Sequence, residues 1–129
     1  MLKTLAVFNG FSVDDLAKAK EFYTETLGLK LKDETMGLQL ELPGGGQAFI
    51  YSKDDHQPAT FTILNFVVDD IDAAVAELTS QGVSMERYDD MPATQDEKGI
   101  LRGIKANQGP DIAWFKDPAG NILAVLQEK

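Results

Sequence analysis

The 129-residue chain contains no cysteine, a single histidine, a single tryptophan and only five prolines. The missing cysteine excludes disulfides, thiolate nucleophiles and cysteine-based zinc sites together. No apolar run approaches the roughly 20 residues needed to span a bilayer. The start, Met1-Leu2-Lys3-Thr4-Leu5, has neither a proper apolar h-region nor a small-residue cleavage site, so a cytoplasmic protein is expected. Basic surplus is lacking too. A formal net charge of −9 makes nucleic acid a poor partner, because phosphate contacts need a basic face. It leaves neutral or cationic small molecules as easier ligands, with solubility as the plain alternative.

What remains is an ordinary globular composition, 43% hydrophobic and 26% charged, of a length that suits one domain with a sizeable core. Leu5, Val7, Phe11 and Val13 alternate with Ala6, Phe8, Gly10 and Ser12, the period of a strand. After Asp14-Asp15, the residues Leu16, Ala19, Phe22, Tyr23 and Leu27 form one helical stripe, which Gly28 ends. Strand patterns return at Leu29 and Leu31, at Leu38, Leu40 and Leu42, and from Ala48 to Ser52. The Pro43-Gly44-Gly45-Gly46 turn joins the last two; it is no phosphate loop, since neither a lysine nor a helix follows it.

The order then repeats. Ser52 to Thr60 breaks both periodicities, Phe61 to Val68 reads as a strand, and Ile71, Ala74, Val75 and Leu78 give a second helical stripe before Gly82. Val13-Asp14-Asp15-Leu16 can be laid on Val68-Asp69-Asp70-Ile71, and Gly46-Gln47-Ala48-Phe49-Ile50 on Gly120-Asn121-Ile122-Leu123-Ala124. The second spacing is longer, which predicts an insertion between Tyr88 and Pro110, a polar stretch with Pro92, Gly99, Gly103 and Gly109. Near the end, Asp117-Pro118-Ala119-Gly120-Asn121 between two apolar runs predicts a β-hairpin. The expectation is an α+β fold of two tandem βαβββ modules in a single domain over 1–129: module one at about 1–53, a linker at about 54–60 and module two at about 61–129.

A tandem repeat closed by Asp-Pro-x-Gly-Asn resembles the vicinal oxygen chelate superfamily of glyoxalase I, bleomycin resistance proteins, fosfomycin resistance enzymes and extradiol dioxygenases. The resemblance covers nearly the whole chain. Its most specific parts are Val13 to Tyr23 with Leu27-Gly28-Leu29, and Phe115 to Asn121. It implies curved mixed sheets enclosing a cleft, often completed as a homodimer. In metal-using members, the first and last strand of each module supply ligands, and here those positions fall on Phe8, Ile50, Ile63 and Ala124. None offers the imidazole, carboxylate or thiolate that a divalent cation requires. No metal and no other cofactor is therefore expected, and the metal-dependent activities of the family lose their basis.

Trp114 lies ten residues before Ala124, a cleft position by the family pattern, and the strand period places Ile112 on the same face. Its indole offers a large apolar face and one N–H donor; the alternative is a core tryptophan bridging the modules. With Phe8, Leu40, Ile50, Ile63 and Ala124 it makes an apolar ligand-binding set, to which Asn65 adds one orienting hydrogen bond. His56 sits in the polar linker and reads as an exposed loop residue. With no cysteine and no second histidine, a nucleophile–base pair has no obvious members. The acids Glu86, Asp89, Asp90, Asp96 and Glu97 match no catalytic motif and read as a solvated loop. Three functions stay open: a metal-free binding protein of the bleomycin-resistance type that sequesters an apolar or cationic ligand; a metal-independent isomerase or lyase using a carboxylate or Tyr88; and a non-catalytic interaction or sensor module.

Overall fold

Two aspartates fix the repeat. Asp15 caps α1 (Leu16–Glu21), accepting the Lys18 backbone N–H at 3.1 Å, and Asp70 caps α2 (Ile71–Ser80), accepting the Ala73 N–H at 3.1 Å. Each carboxylate satisfies a donor that the first helical turn leaves without a partner. Gly28 and Gly82 end the two helical segments at φ +70° and +87°, a region that side chains bearing a Cβ rarely adopt. The first segment differs from the expected single stripe: α1 passes into a π-helical turn at Phe22–Thr26, where the Leu27 N–H reaches back to the Phe22 carbonyl at 3.0 Å. Both Phe22 and Tyr23 are buried there.

The computed structural model describes residues 1–91 and 94–129, which divide into two compact units, Met1–Pro58 and Ala59–Lys129. The first unit holds β1 (Asn9–Val13), β2 (Lys30–Glu34), β3 (Gly37–Glu41) and β4 (Gln47–Ser52) in the order β1-β4-β3-β2. The second holds β5 (Thr62–Val67), β6 (Leu101–Arg102), β7 (Asp111–Lys116) and β8 (Ile122–Gln127) in the order β5-β8-β7-β6. In each sheet the first and last strands pair parallel and the other neighbours antiparallel. The fold is thus α+β, with two tandem βαβββ modules.

Each sheet buries one face against its own helix. In the first, Phe11 pairs with Ile50, and Ile50 with Leu38; Leu40 pairs with Ala48. All five are buried, and the Phe11 ring meets Tyr23 at 5.8 Å. In the second, Ala113, Phe115, Leu123 and Val125 form the buried face, and Ile71, Val75 and Leu78 are the buried residues of α2, which contacts β7 and β8.

One expectation is corrected. The first strand begins at Asn9 and not at Leu5, and residues 1–8 are exposed. The insertion of module two is tied down by side chains. The Gln95 amide accepts the Tyr88 N–H at 2.8 Å and donates to the carbonyls of Glu86 and Gly99, while Arg102 bonds Asp72, Asp96 and Asp111. Pro92, named above as part of that stretch, lies outside the described residues.

The hairpin formed as expected. Asp117 is buried and accepts the backbone N–H groups of Ala119 and Asn121, both at 2.9 Å, and the Asn121 amide at 3.0 Å, while Gly120 turns the chain at φ +86°.

Candidate functional site

In each sheet one face packs on the helix and the other is turned away from it. In module two the pairing puts Trp114 opposite Ala124, Ala124 opposite Asn65, and Ile112 opposite Leu126, all on that face. Trp114 and Ile112 are half-buried and Asn65 is exposed. The Trp114 indole N–H donates to the Thr62 hydroxyl at 3.2 Å. Since β8 runs between β7 and β5, the indole lies across β8 to make that bond, and Ala124 beneath its path is fully buried. The donor that the sequence reading offered to a ligand is therefore already engaged.

On its other side Trp114 meets Tyr88 edge-on, with ring centroids 5.5 Å apart and planes at 87°, a favoured aromatic geometry. The segment holding Tyr88 runs beside β7, with the Glu86 N–H bonded to the Trp114 carbonyl at 2.8 Å and the Glu86 carboxylate 3.4 Å from the Lys116 ammonium. Burial raises the Tyr88 phenol above its ordinary pKa, and the charges of Glu86 and Asp90 add to the effect. It stays protonated at neutral pH and is no ready base.

The sequence set is only partly brought together. Leu40 and Ile50 are fully buried on the helix-facing side of the first sheet, so they are corrected from ligand contacts to core. The register shows why. Gly10 and Asn65 stand at equivalent places before the two caps, and they oppose Phe49 and Ala124 respectively. The counterpart of Ala124 is Phe49, one residue earlier than the sequence match gave, and the counterpart of Trp114 is Gln39. Ile63 falls where the β5–β8 register shifts, between Thr62 and Leu64, so it does not alternate with Asn65 as a regular strand would have it. Phe8 precedes β1 and is 64% exposed.

Sequence reasoning missed Phe49 and Tyr51, whose rings stack at 6.2 Å and 20° on the far face of module one. The signal was present. Leu38 and Leu40 alternate with Gln39 and Glu41, and the more apolar side of such a strand belongs under the helix. It also missed a partner for His56: Nδ1 lies 2.6 Å from the Ser12 hydroxyl, and the residue is part-buried, not the solvated loop residue expected. Of the loop acids, Asp96 is bonded to Arg102 at 3.1 Å and Glu86 to Lys116. Burial opposes ionisation of Asp96, but hydrogen bonds from Ile100, Arg102 and Lys98 outweigh it and lower the pKa. Asp89, Asp90 and Glu97 are exposed.

The metal that the fold family implies does not fit these residues. With Phe49 in place of Ile50, the positions read Phe8, Phe49, Ile63 and Ala124, none with a donor atom in its side chain. Among the described residues no group of three or more His, Cys, Asp or Glu is placed to hold an ion. A surface groove of about 740 Å³ runs along α2 between Val75, Thr79, Met85 and Lys98. It does not include Trp114, and charged side chains along it are already engaged: Lys98 pairs with Asp72 at 3.0 Å and Arg87 donates to the carbonyls of Asp96 and Glu97.

Comparison with solved structures finds the same architecture. TnmS3, an antibiotic binding protein from Streptomyces sp. CB03234, is 26% identical with a TM-score of 0.65, over 99% of this chain and 100% of that one. A glyoxalase/bleomycin resistance protein from the same organism is 27% identical with a TM-score of 0.59, over 94% and 100%. The fosfomycin resistance protein FosX from Listeria monocytogenes, 17% identical with a TM-score of 0.67 over 100% and 96%, shares the fold. No protein of curated function matches the chain in sequence. The sequence pattern of the Glyoxalase/Bleomycin resistance protein/Dioxygenase superfamily matches residues 5–125, and with the repeated βαβββ module and its helix caps this establishes that the chain belongs to that superfamily.

Proposed function

We propose that this protein is a metal-free, cytoplasmic small-molecule binding protein of the bleomycin-resistance type, which sequesters an apolar or cationic ligand without transforming it. The observation that carries the reading is the half-exposed Trp114 indole on the face away from α2, fixed between Thr62 and Tyr88. An aromatic surface held in one orientation loses little freedom on binding, which favours affinity. The donor-free positions Phe8, Phe49, Ile63 and Ala124 support binding over metal chemistry. So does the likeness to TnmS3, an antibiotic binding protein 26% identical to this chain. Ile112, Asn65 and Val67 extend the Trp114 face, and Phe49 with Tyr51 gives module one an aromatic face of its own. Trp114 is the only tryptophan, so its emission reports this face directly. Titration with a panel of planar apolar and cationic compounds is expected to quench or shift it, and emission indifferent to the whole panel would count against a ligand site here. Equal behaviour with and without chelator, and no stoichiometric zinc, nickel or iron in the purified protein, are expected alongside.

The exposed apolar arm of residues 1–8, with Leu2, Leu5 and Val7 each more than four-fifths uncovered, supports a homodimer in which a second copy covers it. One observation favours the second reading, a metal-independent enzyme: the Ser12–His56 hydrogen bond at 2.6 Å is within reach of proton transfer. Substrate turnover that Ser12→Ala abolishes would decide for it.

A further inference from the structure

Module one brings together a hydroxyl and an imidazole that the sequence keeps 44 positions apart, with Ser12 Oγ 2.6 Å from His56 Nδ1. Backbone bonds set that distance. The Lys53 N–H donates to the Val13 carbonyl at 3.0 Å, just past the β1–β4 ladder, and the His56 N–H donates to the Lys53 carbonyl at 3.0 Å, closing a turn that returns the imidazole to the end of β1. Phe11 and Val13 are buried, so alternation along β1 puts Gly10 and Ser12 on the face turned away from α1. There Ser12 stands opposite Tyr51 and Gly10 opposite Phe49, and the two rings stack at 6.2 Å. Gly10 leaves room beside them: a Cβ on it would touch only the Phe49 carbonyl oxygen at 3.5 Å and the Tyr51 ring at 3.9 Å. Ser12, His56 and Phe49 are half-buried, whereas Gly10 and Tyr51 are exposed, so solvent reaches this patch.

We propose that Ser12 is a nucleophile with His56 as its general base, and that it takes the acyl group of aryl esters whose ring rests on Tyr51 and Phe49. This rests on the second reading above, a metal-independent enzyme, to which it adds the substrate class and the reacting atom; Trp114 plays no part in it. With its own proton on Nε2, the imidazole accepts the Ser12 hydroxyl at Nδ1, and a base at that distance is what makes an ordinary serine reactive. As Oγ bonds to the ester carbonyl carbon, its proton passes to Nδ1. The bond from that carbon to the aryl oxygen breaks, and the aryl oxide leaves with the electron pair and takes the proton from the imidazolium. Water then gives a proton to His56 and attacks the acyl carbon; Oγ departs, recovers the proton, and the carboxylic acid is released. An aryl oxide suits this pair because it departs without an acid stronger than imidazolium, and its ring is what two stacked aromatics on an open sheet face can hold. The side-chain-free space over Gly10 admits the acyl group next to Ser12.

Two probes applied to the intact chain test this. The first is 4-nitrophenyl acetate, whose nitrophenolate release is followed by absorbance. The second is phenylmethanesulfonyl fluoride, which loses fluoride to a serine oxygen and leaves a sulfonyl adduct that water clears slowly. The expected result is stoichiometric sulfonylation, placed on Ser12 by peptide mass mapping. Nitrophenolate release should slow about a hundredfold in His56→Gln, the contribution of a positioned base, and fall in Ser12→Ala to the rate left by surface amines. Release that falls in both variants while the sulfonyl group sits elsewhere overturns the nucleophile role alone and leaves the pair as a base for water. Release that neither substitution alters, with no adduct on Ser12, overturns this inference and the enzyme reading together. The adduct is mapped on the parent protein, so a variant that fails to fold does not leave the nucleophile undecided.

Discussion

The Trp114 indole crosses one strand to reach Thr62, passing over Ala124 to place its N–H 3.2 Å from the hydroxyl. That reach depends on a methyl group at position 124. A larger side chain there would occupy the path of the ring, so the small residue at this position is what lets the indole reach across β8.

Ala124→Glu is accordingly expected to expel the indole. Ala124 is fully buried, so the variant both overfills the site and buries a carboxylate. A loss of about 2–4 kcal/mol follows from those two costs. Urea denaturation measures the loss, and the emission maximum should move to longer wavelength as the ring gains water. Unchanged emission would show that Trp114 does not cover position 124.

Thr62→Val separates the hydrogen bond from the packing. The isosteric change removes the acceptor of the indole N–H and should cost about 1 kcal/mol, while Trp114 keeps its contact with Tyr88. A cost near zero, read from the denaturation midpoint, would mean that water replaces the hydroxyl without loss.

How much of this was legible in the sequence differs by level. The repeat, the helix caps and the Asp117–Asn121 turn rest on local chemistry: a carboxylate before a helix, a glycine after it, a proline and glycine in a hairpin. Each of these formed as read. Trp114, Ile112 and Ala124 were placed on one face because β7 and β8 are regular across that stretch. Leu40 and Ile50 were misplaced because a one-residue slip in matching the modules reverses every side chain of a strand, and β1–β4 pairing is a non-local fact. Ile63 escaped for a related reason, a register shift that alternation cannot foresee. The Ser12–His56 bond joins residues 44 positions apart, and nothing local marks it.

The buried turn carboxylate offers a stability test of the motif itself. Asp117 accepts three hydrogen bonds from Ala119 and Asn121 while only 4% exposed. Asp117→Ala removes all three of those bonds and should cost about 3 kcal/mol, at roughly 1 kcal/mol for each. Asp117→Asn, which keeps one acceptor oxygen, should cost less. Equal stability of all three proteins by calorimetry would show that the turn is held by its backbone alone.

Gly37 is required by close approach and not by an unusual dihedral. A Cβ on it would sit 2.2 Å from the Ile50 carbonyl oxygen and 3.0 Å from the Phe49 ring, and a backbone atom cannot step aside as a side-chain tip can. Gly37→Ala should therefore cost at least about 2 kcal/mol and disturb the Phe49–Tyr51 stack, visible as a change in near-ultraviolet circular dichroism. Gly45→Ala, where no atom lies within 4 Å of the added carbon, is the control for a glycine whose constraint is only its φ of +103°.

The Arg102 guanidinium should govern acid stability of module two. It bonds Asp72 at 2.7 Å and Asp96 at 3.1 Å and approaches Asp111 at 3.5 Å. Hydrogen bonds from Arg102 and then Lys98 hold the Asp72 carboxyl well below the usual carboxylate range. Asp72 is 44% exposed, so solvent screens that pair and its share is small; the better-buried Asp96, whose pKa is lowered as well, carries more. A carboxylate whose folded-state pKa is depressed stabilises the fold above its unfolded value, near ~3.9, and that stability is lost as pH falls below it. Arg102→Met should cost about 2 kcal/mol at neutral pH and flatten the acid limb of the stability curve, because its carboxylates then have less to lose on protonation. Denaturation midpoints measured from pH 7 down to pH 3 decide the matter: parallel curves for the two proteins would place the acid sensitivity elsewhere in the chain.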